Sequence, residues 1–272
     1  MSQTITIIKP KSKLTLLDLK EIWQFKELFF TFAHRDIKLR YKQTIIGGLW
    51  AIIQPLTTMI IFSFFFGKLA KIPSDGVPYP IFSYSGLLLW TFFANAISMA
   101  SVSMINSASI ITKVYFPRLI VPVSATIVFF IDYFISFFIL LFLIFFYKFP
   151  LRIELLLLPL ILFFTWILAC GIGLILSALN VKYRDVRYAI PFLLQILIYI
   201  TPVIYPTSVS GKFQWLVNLN PMTGYIEAHR ALILGLPFNY GELLISIGLT
   251  MIILVCGIFY FKSVEKKFAD II

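Results

Sequence analysis

The chain has 272 residues, of which 60% are hydrophobic and only 13% are charged, and its formal net charge is +11. About a quarter of the residues of a soluble domain are charged, so this composition excludes a soluble globular protein and indicates a polytopic membrane protein. Because the basic residues flank apolar runs, we interpret the charge as topology and contact with anionic lipids, and we expect no nucleic acid as a partner. Cys170 and Cys256 both fall in apolar runs, which argues against a disulfide framework.

Residues 1–44 are predicted to form a cytoplasmic tail and then an amphipathic helix that begins near Leu16, with Thr15 and Asp18 as a capping pair. The apolar positions repeat at helical spacing: Ile22, Phe25, Phe29 and Phe32. Polar residues occupy the other face. The helix is too polar to cross a bilayer, so we expect it to lie in the membrane interface.

A cluster of basic residues precedes the first long apolar run. The cluster consists of Arg35, Lys38, Arg40 and Lys42. No charged residue follows until Lys68, and a run of this length crosses the roughly 30 Å hydrocarbon core as a helix. Since Lys and Arg beside a span resist translocation, we expect the cluster on the cytoplasmic side.

The predicted fold is an all-α membrane protein with six transmembrane helices in one domain, residues 45–272. The spans are predicted at residues 45–66, 83–104, 119–147, 155–179, 188–205 and 243–261. Between spans five and six, two apolar segments, 213–219 and 222–234, are too short to cross. They are predicted as re-entrant half-helices, with external interfacial helices as the alternative. If both termini are cytoplasmic, 17 of the 23 Lys and Arg lie inside and six, Arg230 among them, lie outside, as the positive-inside rule requires.

Polar and helix-breaking residues lie inside several of the predicted spans. Gln54 and Pro55 sit in span one, where a free amide and a broken backbone bond are costly in lipid. They face either protein or a water-filled path, or they mark a simple packing kink. Asp132 in span three is a functional candidate by default. Its alternative is a neutral or paired carboxyl that bonds a neighbouring helix.

Catalytic and metal-binding signals are absent from the sequence. No G-x-x-x-x-G-K-[ST] phosphate loop occurs, so this chain is not expected to hydrolyse ATP by that route. The only histidines are His34 and His229, too few for a convincing metal site. We therefore predict no catalytic residue, no metal and no cofactor in this chain.

Several long motifs occur together in one order from Arg35 to the C-terminus. They read RDIKLRYKQTIIGGLWAIIQPL, KVYFPRLIVP, LNVKYRDVRYAIPFLLQ, TPVIYP, NPMTGYIEAHR and EKKFADII. This set resembles the permeases of type-2 ABC exporters, in the branch that exports O antigens, teichoic acids and related polysaccharides. The resemblance implies a homodimer in the bacterial plasma membrane with two separate ATPase subunits, which carry the ATP and magnesium. It also implies a lipid-linked glycan that moves through a channel between the protomers.

Spans one and five contain residues suited to the wall of such a channel. The predicted lining residues are Trp50, Gln54, Phe192, Gln195 and Tyr199. Aromatic faces stack on sugar rings with little directional registry, and Tyr and Trp keep a polar group. A protein-lined path also spares the glycan hydroxyls the loss of their hydrogen bonds in lipid.

The basic cluster before span one is predicted to attract the diphosphate of the lipid-linked substrate. The alternative is that Arg35, Lys38, Arg40 and Lys42 only enforce topology and bind anionic lipid.

The basic loop before span three resembles the family's coupling helix. Its predicted ATPase-docking residues are Lys113, Tyr115, Phe116 and Arg118, with the two aromatic side chains as anchors in a partner pocket. The alternative is that both aromatic residues only anchor span three at the membrane interface.

Two other functions remain open at this point. An exporter of a drug or lipid would use the same fold with a different cargo. A membrane-embedded polyprenyl-glycan transferase would place paired acids on aqueous loops, whereas Asp75, Glu154, Asp185 and Glu227 are scattered.

Overall fold

The computed structural model describes residues 19–42, 47–150, 152–183, 185–265 and 268. Every regular element in these residues is helical, which confirms the predicted all-α class. Five helices are long and apolar enough to cross a membrane: Trp50–Leu69, Tyr79–Asn106, Ile120–Phe146, Ile153–Lys182 and Tyr240–Glu265. The helix at the predicted fifth span, Val186–Ile200, is apolar but shorter.

The N-terminal region forms two helices, α1 (Leu19–Gln24) and α2 (Lys26–Lys42), with a break at Phe25. The apolar face predicted from the sequence turns toward protein: Phe32 is buried, and Ile22 and Phe29 pack against the same core cluster. The predicted helix start near Leu16, its capping pair and the boundary at residue 44 lie outside the described residues.

The first span leaves most of its surface exposed. It consists of α3 (Trp50–Phe62), which follows a 3-10 turn at Gly47–Leu49 and continues as a π-helix over Ser63–Leu69. The inward residues of α3 are Pro55, Met59 and Phe62. In contrast, 61% of the apolar 18-residue stretch of α4 (Tyr79–Asn106) is buried, against 17% of the corresponding stretch of the first span. Helix α4 is therefore the central helix of the protomer.

The predicted span at 119–147 is built from two consecutive helices. After the short α5 (Ala108–Ile111) come α6 (Ile120–Thr126) and α7 (Val128–Phe146). At the joint, Ile127 keeps helical dihedral angles and donates its N–H to the Ser124 carbonyl. Helices α6 and α7 therefore form one span.

The second half of the chain supplies the remaining helices. A 3-10 turn at Ile153–Leu157 leads into α8 (Leu158–Lys182), which is followed by α9 (Val186–Ile200), α10 (Gln214–Asn218), α11 (Pro221–Leu234) and α12 (Tyr240–Glu265). The sequence placed the end of span five at residue 205, whereas α9 ends at Ile200. The following residue, Thr201, is extended, as expected for a residue that precedes a proline.

Small residues allow α8 to approach its neighbours closely. A Cβ added to Gly173 would lie 2.7 Å from the Ala100 Cβ of α4, and one added to Gly171 would lie 3.0 Å from the Leu254 backbone of α12. Such contacts between small residues are the usual basis of tight helix packing in membranes. The core is thus a close group of α4, α8 and α12, with α3 and α9 packed more loosely outside it.

Candidate functional site

The two predicted lining residues of span one lie at the start of α3. Trp50 and Gln54 are both exposed on the protomer, while Pro55 beside them is buried. Helix α3 packs on α4 and α7, and its other face, with Trp50, is exposed in the described protomer. Pro55 therefore contacts protein, which agrees both with a protein-facing residue and with a packing kink.

The three predicted lining residues of span five share one exposed face of α9. Phe192, Gln195 and Tyr199 are all exposed, and only Ile190 and Leu194 of this helix are buried. Helix α9 packs on α4 and α8. Its narrow buried stripe leaves a broad aromatic and aliphatic face outside the protomer.

The two arginines of the basic cluster form ion pairs within the protomer. The Arg35 guanidinium lies 2.8 Å from the Asp36 carboxylate and 3.4 Å from the Ser107 hydroxyl. The Arg40 guanidinium lies 2.6 Å from the Asp132 carboxylate. Their charges are therefore partly neutralised.

The two lysines of the cluster are placed differently. Lys38 and Lys42 are exposed one helical turn apart on α2. Within the part of the chain that the structure describes, no ion pair engages either lysine. If the cluster attracts a diphosphate, these two ammonium groups are its accessible cations.

Asp132 is buried between α2 and α7 and is fully paired. Besides the bond from Arg40, its carboxylate accepts a hydrogen bond from the Tyr41 hydroxyl, and the Arg40 guanidinium also lies 4.8 Å from the centre of the Phe129 ring. Burial, together with the bond to Asp132, raises the pKa of Tyr41 above its ordinary value, so the phenol remains a donor. The paired alternative for Asp132 is the one found.

The sequence did not reveal the partners of Asp132. The available signal was the depth of the two residues in the membrane. Arg40 is the last arginine before span one, and Asp132 lies near the start of α7. Beside the pair is a water-sized cavity of about 20 Å³, which Gln54, Asn95 and Ser136 help to line. This polar pocket joins the ion pair to the start of the α3 face.

The structure separates the four residues of the predicted docking loop. Lys113 is exposed, and the Tyr115 side chain is 80% exposed with its hydroxyl 3.0 Å from the Glu21 carboxylate. Phe116 is only 3% exposed, and its ring centroid lies 5.6 Å from that of Phe32. In this arrangement Phe116 anchors the loop inside the protomer and does not offer its ring to a partner.

Arg118 ties the same loop to the end of the last helix. Its backbone N–H donates to the Glu265 carboxylate at 3.3 Å, and its guanidinium donates to the Glu265 carbonyl. The Phe268 ring lies 6.0 Å from the guanidinium and 5.2 Å from the Phe261 ring. The loop is therefore held between α2 and α12, and its exposed part is Lys113 to Tyr115.

A sequence profile of the family described as ABC-2 type transporter matches residues 27–234. The chain belongs to this family. The match begins in α2 and ends at the last residue of α11, so it includes the basic cluster, the docking loop and the five predicted lining residues.

This ABC-2 transporter chain is also similar to curated export permeases along most of its length. It is 27% identical to an O-antigen export system permease protein of Klebsiella pneumoniae, over 90% of this chain and 95% of the relative. It is 24% identical to an O-antigen export system permease protein of Myxococcus xanthus, over 92% and 97% of the two chains. It is 26% identical to a polysialic acid transport protein of Escherichia coli, over 85% and 91%.

One feature of this transporter chain that sequence reasoning missed is a buried cluster on α11. Arg230, counted from the sequence as an external charge, is completely buried. It donates to the carbonyls of Pro202 at 2.6 Å and Val203 at 2.5 Å, and it lies 3.2 Å from the Glu227 carboxylate. These carbonyls follow the end of α9, so Arg230 supplies donors where the span stops and the helix no longer satisfies its backbone.

His229 completes the attachment of α11. Its Nε2 lies 2.8 Å from the Tyr133 hydroxyl of α7, and Asn220 caps the helix by accepting from the Met222 N–H at 3.0 Å. The motif NPMTGYIEAHR therefore fixes α11 to α7 and to the segment after α9. The signal was present in the sequence as a cluster of His and Arg in an otherwise apolar segment.

Proposed function

We propose that the chain is the transmembrane subunit of an ATP-driven exporter that moves a lipid-linked polysaccharide, of O-antigen or teichoic-acid type, across the bacterial plasma membrane. The observation that carries the proposal is the pair of exposed faces on α3 and α9, which carry the aromatic and amide side chains of the five predicted lining residues. Permeases for O antigen and polysialic acid among the relatives support this class of cargo.

The proposed topology has six spans. The five long helices cross the bilayer, and α9 with the extended segment to residue 205 forms the fifth span, while α1 and α2 lie in the cytoplasmic interface. Helices α10 and α11 are proposed as re-entrant helices on the outer side. Both termini are then cytoplasmic, and 17 of the 23 Lys and Arg lie inside, in keeping with the positive-inside rule.

A homodimer would bring the exposed faces of α3 and α9 around one path. In the protomer α3 packs on α4 and α7, whereas α9 packs on α4 and α8. A second copy would close the path around Trp50 and Tyr199, whose rings would face the glycan, and Gln54 and Gln195 would bond sugar hydroxyls. Because the five predicted lining side chains are flat rings or amides, a glycan chain slides past them without a fixed register.

Substrate capture is proposed at the cytoplasmic end of this wall. Lys38 and Lys42 extend from α2 as point charges that attract a diphosphate. Arg35 and Arg40 hold α2 in place through Asp36 and Asp132. The two lysines therefore capture the substrate, and the two arginines hold α2 in position.

Energy coupling is proposed at the loop between α5 and α6. Lys113, Val114 and Tyr115 project from it and are exposed, while Phe116 and Arg118 fix its other end. A separate ATPase subunit, which would hold the ATP and magnesium, docks on the exposed part. Movement of the loop would be transmitted to α2 through the contact of Phe116 with Phe32, and to α12 through the bonds of Arg118 to Glu265.

Export in cells tests the proposed function. Trp50→Ala and Tyr199→Ala are introduced into a strain that depends on this permease and its ATPase, and surface glycan is measured at matched protein levels. Phe142→Ala is the control, because Phe142 is also exposed but lies on α7. Loss of surface glycan with accumulation of the lipid-linked glycan inside, in the two lining variants alone, is expected.

Normal export in both lining variants would reject the proposed wall. The alternative cargo would instead be established if a drug or lipid stimulates the ATPase of the assembled complex and deletion of the permease leaves surface glycan unchanged. Disulfide formation between two Tyr199→Cys copies tests the dimer separately.

A further inference from the structure

A cavity of about 350 Å³ lies beneath the N-terminal helices. Ile22 and Phe29 of these helices form one side of it, and Val123 of α6, Cys170 of α8 and Ile258 of α12 lie among the residues of the other sides. Neither α3 nor α9 contributes a lining residue. The cavity is thus separate from the proposed substrate wall.

The wall of this cavity is apolar throughout. Two of the lining residues, Trp166 and Cys170, carry a polar side-chain atom, and both atoms are directed to Thr126. The Trp166 indole N–H donates to the Thr126 hydroxyl at 2.7 Å, and the Cys170 sulfur lies 3.8 Å from the same oxygen. Water in such a space finds no hydrogen-bond partner. Left empty, the space would cost its lining side chains their dispersion contacts on one side. Its occupant is therefore apolar.

The surroundings of the cavity place it at the boundary between hydrocarbon and headgroups. Helices α8 and α12 cross the bilayer, and the N-terminal helices cover the cavity from one end. Next to Ile22, the Trp23 side chain is 71% exposed, and the Lys26 ammonium lies 5.1 Å from the centre of its ring. Exposed Trp beside Lys is typical of the headgroup level. A molecule with an acyl chain in the cavity would have its phosphate near Lys26.

We propose that the cavity holds one acyl chain of an anionic phospholipid from the leaflet in which α1 and α2 lie, with the phosphate at Lys26. The lipid is a resident of the bilayer and not the exported substrate, since no residue of α3 or α9 faces it. It fills the space between α1 and α2 and the three helices α6, α8 and α12. Occupancy therefore holds the N-terminal helices against the protein.

Lipid retention is the first test. The protein is purified from membranes in mild detergent, and native mass spectrometry counts the phospholipids that remain on each protomer. Val123→Phe and Cys170→Leu fill the cavity, whereas Ile252→Phe adds similar volume on the exposed side of α12. The cavity variants are expected to lose one phospholipid per protomer with an unchanged melting temperature, and the Ile252 variant to keep it.

Lys26→Gln tests the headgroup contact in vesicles that contain phosphatidylglycerol. Retention of this lipid is expected to fall about fivefold, which corresponds to about 1 kcal/mol for one basic residue at an anionic surface. Retention of phosphatidylcholine should not change. Equal retention of phosphatidylglycerol in Lys26→Gln and the parent protein contradicts the assigned headgroup.

Cross-linking identifies the occupant if a cavity variant does not fold. A benzophenone amino acid replaces Ile167, another lining residue, and the protein is irradiated in its native membrane. A phospholipid adduct is expected. An adduct to a peptide of this chain, to a second copy or to the lipid-linked glycan overturns the proposal, as does unchanged lipid retention in both folded cavity variants.

Discussion

The guanidinium of Arg40 lies 2.6 Å from the carboxylate of Asp132, although 92 positions separate the two residues in the chain. The pair joins α2, which precedes the first span, to α7 inside the third. Asp132 is the more deeply placed partner, with 10% of its side chain exposed against 38% for Arg40. The pair therefore fixes the interface helix to the membrane domain at one point, and the two partners contribute unequally.

We first predict an asymmetry between the two partners. Arg40→Gln leaves a buried carboxylate with only Tyr41 as donor, and we expect it to destabilise the fold by about 3–5 kcal/mol. Asp132→Asn leaves a guanidinium that can reach water, and we expect a cost of about 1–3 kcal/mol. Thermal unfolding of the purified protein gives the order of the two variants.

The double variant is the control for this prediction. Arg40→Gln with Asp132→Asn removes both charges. This double variant should unfold at a higher temperature than Arg40→Gln alone, because it no longer buries a carboxylate without its cation. Melting temperatures of all three variants that equal the melting temperature of the parent protein would mean that the pair contributes nothing measurable.

The second prediction concerns Lys38 and Lys42. Replacing both with Gln should lower the apparent affinity for the lipid-linked substrate about thirtyfold, since two basic residues near an anionic group contribute about 2 kcal/mol in total. Stability and topology should not change, because neither lysine forms an ion pair among the described residues. Export at limiting substrate is the measurement.

Lys212→Gln is the matched control, an exposed lysine of the segment proposed to be external. Full export in the double lysine variant with correct insertion would assign the cluster to topology and lipid contact alone.

The third prediction separates the two aromatic residues of the docking loop. Phe116→Ala removes a buried ring and should destabilise the protomer by about 3–5 kcal/mol. Tyr115→Ala removes an exposed ring and should leave stability within about 0.5 kcal/mol. In the complex, Tyr115→Ala should instead reduce stimulation of the partner ATPase.

Assembly and ATP hydrolysis measured on the same preparation check this separation. Tyr115→Phe is the conservative control, because it keeps the ring and loses the hydroxyl that bonds Glu21. Unchanged coupling in Tyr115→Ala would contradict the docking role of the exposed loop.

The fourth prediction is the orientation of the chain. A cysteine at Tyr115 should be protected from an impermeant thiol reagent in intact cells, and a cysteine at Lys212 should be labelled. Both side chains are exposed in the protomer, so accessibility depends on the side of the membrane. Labelling at 115 and protection at 212 would invert the proposed topology. Replacing Cys256, which is exposed, with Ser first removes a background signal.

Much of the architecture follows from the sequence because hydrophobic length is a local property. Each long apolar run became a helix, and the span at 119–147 agrees with the observed Ile120–Phe146 within a residue. Span five is the exception. Its run stays apolar through residue 205, but Pro202 ends the helix at Ile200, so composition predicted the location of the segment and proline geometry set its end.

The candidate site divides in the same way. The sequence identified Trp50, Tyr199 and the basic cluster as residues of interest, because aromatic and cationic side chains beside apolar runs are visible locally. It did not show that Phe116 is buried against Phe32, or that Arg230 lies inside the protein and not in an external loop. These facts depend on which helices become neighbours and at what register.

The sequence by itself therefore determined the membrane class, the helical fold and the expected side of each loop, since these depend on the apolar length and charge of continuous segments. The tertiary structure alone decided which charges are paired. The Arg40 and Asp132 side chains meet because α2 and α7 place them at one depth, and Arg230 is buried because the backbone after α9 needs its donors. Low local dielectric makes such pairing obligatory, but the identity of each partner is fixed only when distant helices pack.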